Sequence, residues 1–255
     1  METITSEQAG HMNLNLPHDV VPLPSGGIFY KNKKKSVKVG YLTATDENML
    51  IDIATSGNIK EGITSSLIRN KLYENDMKPD DLLEGDIEAI LIFLRNTSFG
   101  SEYTLNINDP DTGKPFSFTT TLDELNIKKT NVKPDENGTF TTILPKTGVS
   151  VRLKPLTFGE QLEIEKMSDS YPKGRIPPRV TWRLMKQIVD VNGNTDRNSI
   201  ATFVDTLPIM DSKYIRNFLN ENEPKLDLTR TITTPSGKKV ETNITFGVEF
   251  FRPFF

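Results

Sequence analysis

The N-terminal part of the chain alternates apolar and polar residues on either side of a turn, and this period of two predicts a β-hairpin. Its predicted parts are a turn at residues 23–27, a strand with Ile28 and Tyr30, a basic tip at residues 31–35 and an alternating strand at residues 37–41. The same kind of alternation predicts further hairpins at residues 103–118, 140–153 and 229–246. Hairpins are therefore the main β elements that we expect.

Between the hairpins, apolar residues recur every three or four positions, which predicts short helices. Thr43 with Asp46, and Thr157 with Glu160, have the spacing of a capping box, so a helix is expected to begin at each pair. Further helices are predicted around residues 63–72, 87–94, 180–188, 200–207 and 214–219. The helix at residues 87–94 is apolar on nearly every side, so we expect it to lie in the core.

Together these elements predict an α+β fold in which several β-hairpins pack against short helices. Residues 128–138 are polar and contain Pro134 and Gly138, so we place a boundary between two lobes there. The predicted parts are a flexible N-terminal arm at residues 1–19, a hairpin-plus-helices lobe at residues 20–130 and a second such lobe at residues 139–255. Both lobes repeat a Leu-Pro turn, an alternating strand, Leu-Thr and a capping box. A weak internal duplication explains this repeat, and so does the common recurrence of hairpin-and-helix units.

The composition removes several classes of site. Cysteine is absent, which excludes disulfides and thiolate chemistry, and both histidines, His11 and His18, lie in the predicted arm. The net charge of −3 gives no general attraction to phosphate backbones, so nucleic acid is not expected as the main partner. No apolar run is long enough to cross a membrane, and the polar first residues lack the pattern of a secretion signal. We therefore expect no metal, no cofactor and no small-molecule substrate.

A group of carboxylates around residues 80–88 has two interpretations. Closely spaced acids can differ in pKa and serve general acid–base catalysis, which would suit a hydrolase. The same acids flank the start of a predicted helix, where negative charge is favourable for electrostatic reasons alone. We therefore expect a solvated and structural role for these residues, which are Asp80, Asp81, Glu84, Asp86 and Glu88.

Two hairpin turns also contain patterns that are known signals elsewhere. Residues 144–148 spell Leu-Pro-Lys-Thr-Gly, a sortase signal, but no apolar anchor follows, so Pro and Gly are interpreted as turn residues. The lysines within residues 31–35 could contact nucleic acid, but no aromatic residues are interleaved with them. A solvated hairpin tip is the preferred interpretation of the lysine cluster.

An apolar segment near residue 250 is costly to expose to water. It consists of Phe250, Phe251, Arg252, Pro253, Phe254 and Phe255. These residues can pack on the core of the chain itself or dock into another subunit, since aromatic and Arg side chains are frequent interface anchors. Deletion of residues 249–255 is predicted to abolish partner binding and to leave the chain folded.

Several landmarks follow one another along the chain. They are residues 23–30 (Leu-Pro-Ser-Gly-Gly-Ile-Phe-Tyr), 42–47 (Leu-Thr-Ala-Thr-Asp-Glu), 84–86 (Glu-Gly-Asp), 98–103 (Ser-Phe-Gly-Ser-Glu-Tyr), 235–238 (Pro-Ser-Gly-Lys) and 250–253 (Phe-Phe-Arg-Pro). In this order they resemble the baseplate hub and hub-assembly proteins of T-even-type contractile phages. The resemblance spans most of the chain and implies a protein without enzymatic turnover that binds other hub components. Some relatives carry Cys pairs near residues 109–113, which suggest a zinc knuckle, but this chain has Asp-Pro-Asp-Thr-Gly there, so metal binding is not carried over.

The function predicted from the sequence is that of a non-enzymatic structural or assembly protein of a phage tail baseplate hub. Its expected partners are other baseplate hub or tail proteins, and its expected location is the virion tail baseplate, or the host cytoplasm during assembly. A tail assembly chaperone that leaves the virion stays open, as do a carboxylate-based hydrolase and a nucleic-acid-binding module. The residues predicted to contact a partner are Leu23, Pro24, Ile28, Tyr30, Phe250, Phe251, Arg252, Pro253, Phe254 and Phe255.

Overall fold

A computed structural model of the chain describes residues 17–56, 63–246 and 248–251. The predicted α+β class is confirmed, since small antiparallel sheets pack against helices of up to 16 residues. The strands are β1 (His18–Pro22), β2 (Ser36–Gly40), β3 (Glu102–Asn108), β4 (Pro115–Thr121), β5 (Phe140–Ile143), β6 (Ser150–Leu153), β7 (Ile188–Val191), β8 (Thr229–Thr233) and β9 (Lys239–Asn243). The helices are α1 (Ala44–Ser56), α2 (Ile63–Lys71), α3 (Glu84–Phe99), α4 (Phe158–Asp169), α5 (Arg179–Gln187), α6 (Arg197–Asp205) and α7 (Ile209–Asn222), with 3-10 turns at Pro79–Asp81 and Val248–Phe251.

The sheets are small and antiparallel. β1 pairs with β2, β3 with β4, and β8 with β9, while β5, β6 and β7 form a three-stranded sheet. β7 is a correction, because the helical spacing of Val180, Leu184 and Ile188 predicted that the helix continues through Ile188. Ile188 instead pairs with Leu153 of β6, so the β-branched residues at the start of β7 extend a sheet that already exists.

The first hairpin differs from its prediction. Ile28 and Tyr30 lie in successive turns and not in a strand, and the strand that pairs with β2 is β1. Gly26 and Gly27 both have positive φ, and the Tyr30 amide donates to the Gly27 carbonyl at 3.2 Å. Two consecutive left-handed residues turn the chain too sharply for a strand to form. β1 also begins at His18, inside the predicted arm, so one histidine belongs to the folded body, while residues 1–16 with His11 lie outside the described residues.

Two hydrophobic clusters form the core. The first contains buried residues of β1, β2 and α1–α3, and it also takes in Ile244, Phe250 and Phe251. α3 is central to it, as predicted, since Ile90 and Leu94 are fully buried. The second cluster is built around Phe140 by residues of β5–β7 and α5–α7. Ile244, Phe250 and Phe251 therefore pack in the first cluster, although the sequence assigned them to the second lobe. The division at residues 128–138 itself stays a prediction.

Phe29 connects the two clusters, because it packs against residues of both. Its ring centroid lies 5.9 Å from that of Phe140. Gly138 lies directly against it, since a Cβ atom there would come within 2.8 Å of the Phe29 Cα atom. The polar segment between the halves therefore packs closely against the first hairpin turn.

The two halves of the chain follow the same order. Each begins with a hairpin whose turn contains Leu-Pro, continues through helices, and ends with a helix followed at once by a second hairpin. The tips of these second hairpins contact each other: the Ser236 amide donates to Asp109 Oδ2 at 3.0 Å, and Lys238 Nζ lies 3.2 Å from Asp111 Oδ1. The second half also contains β7, so its first sheet has three strands where that of the first half has two. The weak internal duplication stays a prediction, and the common recurrence of hairpin-and-helix units stays its alternative.

The first hairpin turn offers a test with a matched pair of glycines. Alanine at either Gly26 or Gly27 must adopt positive φ, which costs about 1–2 kcal/mol. A Cβ atom at Gly27 would also lie 2.6 Å from the backbone oxygens of Lys33 and Lys34, whereas one at Gly26 meets no atom within 4 Å. We expect Gly27→Ala to lower the free energy of unfolding clearly more than Gly26→Ala in urea titrations. Equal losses would contradict this packing.

Candidate functional site

A buried carboxylate fixes the Leu-Pro turn of the first hairpin. Asp86 is the third residue of α3 and is completely buried. The Ser25 amide donates to Asp86 Oδ1 at 2.9 Å, and the Tyr30 hydroxyl donates to Oδ2. The Tyr30 oxygen in turn accepts a bond at 3.0 Å from the amide of Leu83, the residue before α3. This network, which we call the Asp86 clamp, joins both ends of the turn to the start of α3.

Electrostatics in the Asp86 clamp follow from its burial. Burial raises the pKa of Asp86, and the hydrogen bonds from Ser25 and Tyr30 act against that rise. The pKa of Tyr30 is raised first by burial and then by the charge of Asp86, so the hydroxyl keeps its proton and donates. The expectation that Asp86 is solvated is therefore wrong, although its structural role is supported. A satisfied buried acid of this kind stabilises one conformation of the turn.

A second aspartate holds the Leu-Pro turn of the second half. Asp211 is the third residue of α7 and is also completely buried. It accepts bonds from the amides of Lys146 and Thr147 at 2.8 and 3.0 Å and from the Thr147 hydroxyl at 2.8 Å. The turn interpretation of residues 144–148 is thereby supported. The two aspartates share one local feature, because each is the third residue of its helix.

The predicted contact residues differ in how accessible they are to a partner. Leu23, Tyr30, Phe250 and Phe251 are buried within this chain. Pro24 is partly buried and Ile28 is exposed. Arg252, Pro253, Phe254 and Phe255 lie outside the described residues. Partner contact by these ten residues stays a prediction, and among the described ones Ile28 is the most accessible to a partner.

Phe250 is the centre of an aromatic cluster in the first core. Its ring centroid lies 5.4 Å from that of Tyr103, 4.8 Å from Phe246 and 5.0 Å from Phe251. The guanidinium carbon of Arg95 lies 5.7 Å from the Phe250 ring centre, at a distance typical of a cation–π contact. Loss of such a ring costs about 3–5 kcal/mol. A deletion of residues 249–255 would therefore remove core packing, so partner contacts need to be tested with surface substitutions.

Two lysines of the predicted basic tip are engaged in contacts within the chain. Lys33 Nζ donates to the backbone carbonyls of Ile28 and Glu136, and Lys34 pairs with the carboxylates of Glu74 and Asp76. The Lys34 ammonium holds the pKa of Asp76 below its usual range. The cluster therefore helps to bind the tip to its surroundings. Nothing in this arrangement adds to the nucleic-acid alternative.

Two partly buried glutamates meet where α3 approaches the end of α7. Burial raises the pKa of Glu88 to about 7, and the charges of Glu84 and Glu223 also act in that direction. Burial likewise raises the pKa of Glu223 to about 7, again with a contribution from Glu84. Gly85 allows this close approach, since a Cβ atom there would lie 2.7 Å from the Lys225 Cα atom. The sequence placed Glu88 in its acidic group but gave no sign that the charge of Glu223 acts on it.

A cleft beside the first hairpin turn is lined by residues other than these glutamates. One open cleft of about 430 Å³ is lined by Phe29, Tyr30, Lys31, Asn32, Asp76, Met77, Asp81 and Thr157. Its aspartates include Asp76, whose lowered pKa does not suit a general acid. His18, the histidine of the folded body, lies 6.1 Å from the Tyr73 ring, outside the residues that line this cleft. Within residues 17–56, 63–246 and 248–251, no group of three or more His, Asp or Glu side chains could hold a metal ion.

Several apolar side chains that the sequence did not single out are exposed. Ile176 is 91% exposed in the segment between α4 and α5, and Ile209 is 84% exposed at the start of α7. Ile143, Met210 and Val20 are also largely exposed. Single exposed apolar residues are ordinary, but side chains as accessible as Ile176 on structured backbone are candidates for partner contact. Periodicity could not find them, because their exposure depends on which neighbours the fold supplies.

Comparison with known proteins decides the family. Residues 26–252 match the family described as T4 bacteriophage base plate protein. The chain belongs to this family. Membership implies a structural or assembly role in the tail baseplate of a T4-like phage, with other baseplate proteins as partners. No curated protein and no solved structure matches the chain. None of the described helices of this baseplate protein is long and apolar enough to span a bilayer.

The Asp86 clamp can be tested with one hydroxyl. Tyr30→Phe removes the donor to Asp86 and leaves the Leu83 amide without its acceptor, so we expect a loss of about 2–3 kcal/mol in the free energy of unfolding. Tyr41→Phe is the matched control, because its hydroxyl donates to Asp19 at the surface and should matter by less than about 1 kcal/mol. A similar small loss in both variants would show that the clamp does not stabilise the fold.

The glutamates predict how stability depends on pH. The folded protein holds the protons of Glu88 and Glu223 up to about pH 7, whereas glutamate ordinarily titrates near 4.5. The folded state thus binds more protons between these values, and the free energy of unfolding should fall as pH rises from 4.5 to 7. Glu88→Gln should weaken this dependence and raise the stability at pH 8. Exposed Glu165 on α4 supplies the control, since Glu165→Gln should leave the profile unchanged.

Proposed function

We propose that this baseplate protein is a non-enzymatic component of the baseplate hub and that it acts through contacts with other hub proteins. The observation that carries the proposal is the family match over residues 26–252, which covers both halves of the fold. The hub assignment within the baseplate rests on the resemblance of the landmarks along the chain to hub and hub-assembly proteins.

The structure supports this proposal because two separate landmarks contact each other. The turn at residues 23–30 and the Glu-Gly-Asp sequence at residues 84–86 meet in the Asp86 clamp. The clamp residues lie in the same network as Leu83, which precedes α3. A resemblance between residues that interact in the fold is more specific than one between isolated turn sequences.

The architecture also suits a role in protein contacts. Both Leu-Pro turns are fixed by buried aspartates, so the surface around each turn has a defined shape before any partner binds. Rigid surfaces lose less conformational entropy on association than flexible ones do. Exposed apolar residues such as Ile176 and Ile209 lie on ordered backbone and can supply contact area.

Genetic removal of the chain, followed by complementation, tests the proposal. In a phage that lacks the chain, we expect baseplates without a complete hub, and a tagged copy of the chain supplied in trans should restore them. The tagged chain should co-sediment with hub proteins in subassemblies from infected cells. Normal hubs and normal infectivity without the chain would contradict the proposal.

The same preparations separate the two fates of the protein. Mass spectrometry of purified particles should detect the chain if it stays in the baseplate, whereas an assembly factor should occur only in subassemblies.

The non-enzymatic part of the proposal needs its own measurement. Turnover of a substrate by the purified chain that is reduced by Glu88→Gln or Glu223→Gln would favour the hydrolase alternative.

A further inference from the structure

The stretch from the end of α4 to the start of β7 has an unusual charge for this chain. Residues 171–189 contain Lys173, Arg175, Arg179, Arg183 and Lys186 and have no acidic residue, whereas the whole chain has a net charge of −3. We call residues 170–178, which connect α4 to α5, the Ile176 loop. The loop combines basic residues with Pro172, Pro177 and Pro178 and has no apolar periodicity that would mark it in the sequence.

The Ile176 loop contains a hydrogen-bonded turn. The Arg175 amide donates to the Pro172 carbonyl at 3.1 Å, and Gly174 between them has a φ of +82°. Ile176 follows this turn directly and precedes two prolines, whose rings fix the backbone angle φ. Its side chain is therefore presented in a restricted direction and remains 91% exposed.

The base of the loop is fastened to α4 and α5. Tyr171 and Trp182 pack edge to face with ring centroids 5.7 Å apart. Arg179 Nε donates to Ser168 Oγ at 2.6 Å, and the Arg179 amide donates to the Pro177 carbonyl at 2.8 Å. These contacts close the loop from both ends. Little conformational entropy then has to be lost when the loop binds a partner.

The charges around Ile176 lack partners of the opposite sign. Lys173, Arg175 and Arg179 are exposed, and within the described part of the chain no salt bridge joins them to a carboxylate. Lys186, further along α5, differs because it pairs with Glu163 at 2.7 Å. An exposed apolar side chain with unpaired cations on either side of it along the chain is complementary to an apolar recess with a carboxylate rim.

This chemistry favours a protein partner over nucleic acid. Proteins that bind single strands stack bases on exposed aromatic rings. The two rings at the base of the loop, Tyr171 and Trp182, are instead partly buried and pack against each other. An isoleucine at the most exposed point gains by entering an apolar recess, which a phosphate backbone does not offer.

We propose that the Ile176 loop is a docking surface for an acidic protein of the baseplate, with Ile176 inserted into an apolar recess and Lys173, Arg175 and Arg179 facing Asp and Glu side chains around it. The inference rests on the proposed function and deepens it, because it says where on the chain the partner binds.

Substitutions on the loop test the proposal by incorporation of the chain into hub subassemblies and baseplates from infected cells. Ile176→Asp should lower incorporation about tenfold or more, as loss of a hot spot does, whereas Ile176→Val should retain it. Arg175→Glu should also lower it, while the same charge change in Lys239→Glu, at an exposed position of β9, should not. All four variants should unfold at the temperature of the wild type, because the changed side chains are exposed.

A photoreactive amino acid at position 176 identifies the partner, with position 239 as its control. We expect a crosslink from position 176 to an acid-rich region of another baseplate protein, which is lost when Arg175→Glu is added. Full incorporation of Ile176→Asp, a crosslink to nucleic acid, or a crosslink to a second copy of the chain would overturn the inference. Failure of the proposed function is a different result, in which the wild-type chain itself does not join hub subassemblies.

Discussion

The fold depends above all on one buried carboxylate. Asp86 is removed from water at the start of α3, which would be strongly unfavourable if its oxygens were not satisfied. Ser25 and Tyr30 satisfy them and thereby bind the first Leu-Pro turn to the central helix. Because Phe29 belongs to the same turn and packs against both hydrophobic clusters, the clamp also determines how the two halves meet.

Asp211 has the same role in the second half, where its carboxylate at the start of α7 accepts hydrogen bonds from a Leu-Pro turn. The repeat explains how a chain with small sheets obtains well-defined surfaces. A two-stranded hairpin is only marginally stable alone. Here the first hairpin turn of each half is fixed by a helix start, and the tips of the two second hairpins bind each other. For a baseplate protein that acts by contact, the useful result is that turns and loops keep their shape while their outer side chains remain available.

The sequence predicted elements that depend on residues adjacent along the chain. It predicted less well the contacts of the Asp86 clamp, which join distant segments. Thr157 and Glu160 form their capping box, and α3 is buried as its apolar pattern requires. The failures involve residues whose surroundings come from distant parts of the chain. Asp86 has the position of a solvated helix-start acid, and only the approach of Ser25 and Tyr30, 61 and 56 residues away, makes it a buried one. β7 was missed because a neighbouring strand, rather than its own pattern, makes it a strand.

By itself the sequence determined the α+β class, most hairpins and helix starts, and the resemblance to baseplate proteins, because turn residues, caps and periodicity act over a few positions. Tertiary structure decided which side chains are accessible. Phe250, which the sequence predicted to be an interface anchor, is buried in the core beside Tyr103. Ile176, by contrast, is exposed on a loop whose base is bound to α4 and α5. Whether an apolar residue is buried or exposed depends on contacts between distant segments, and no local pattern contains that information.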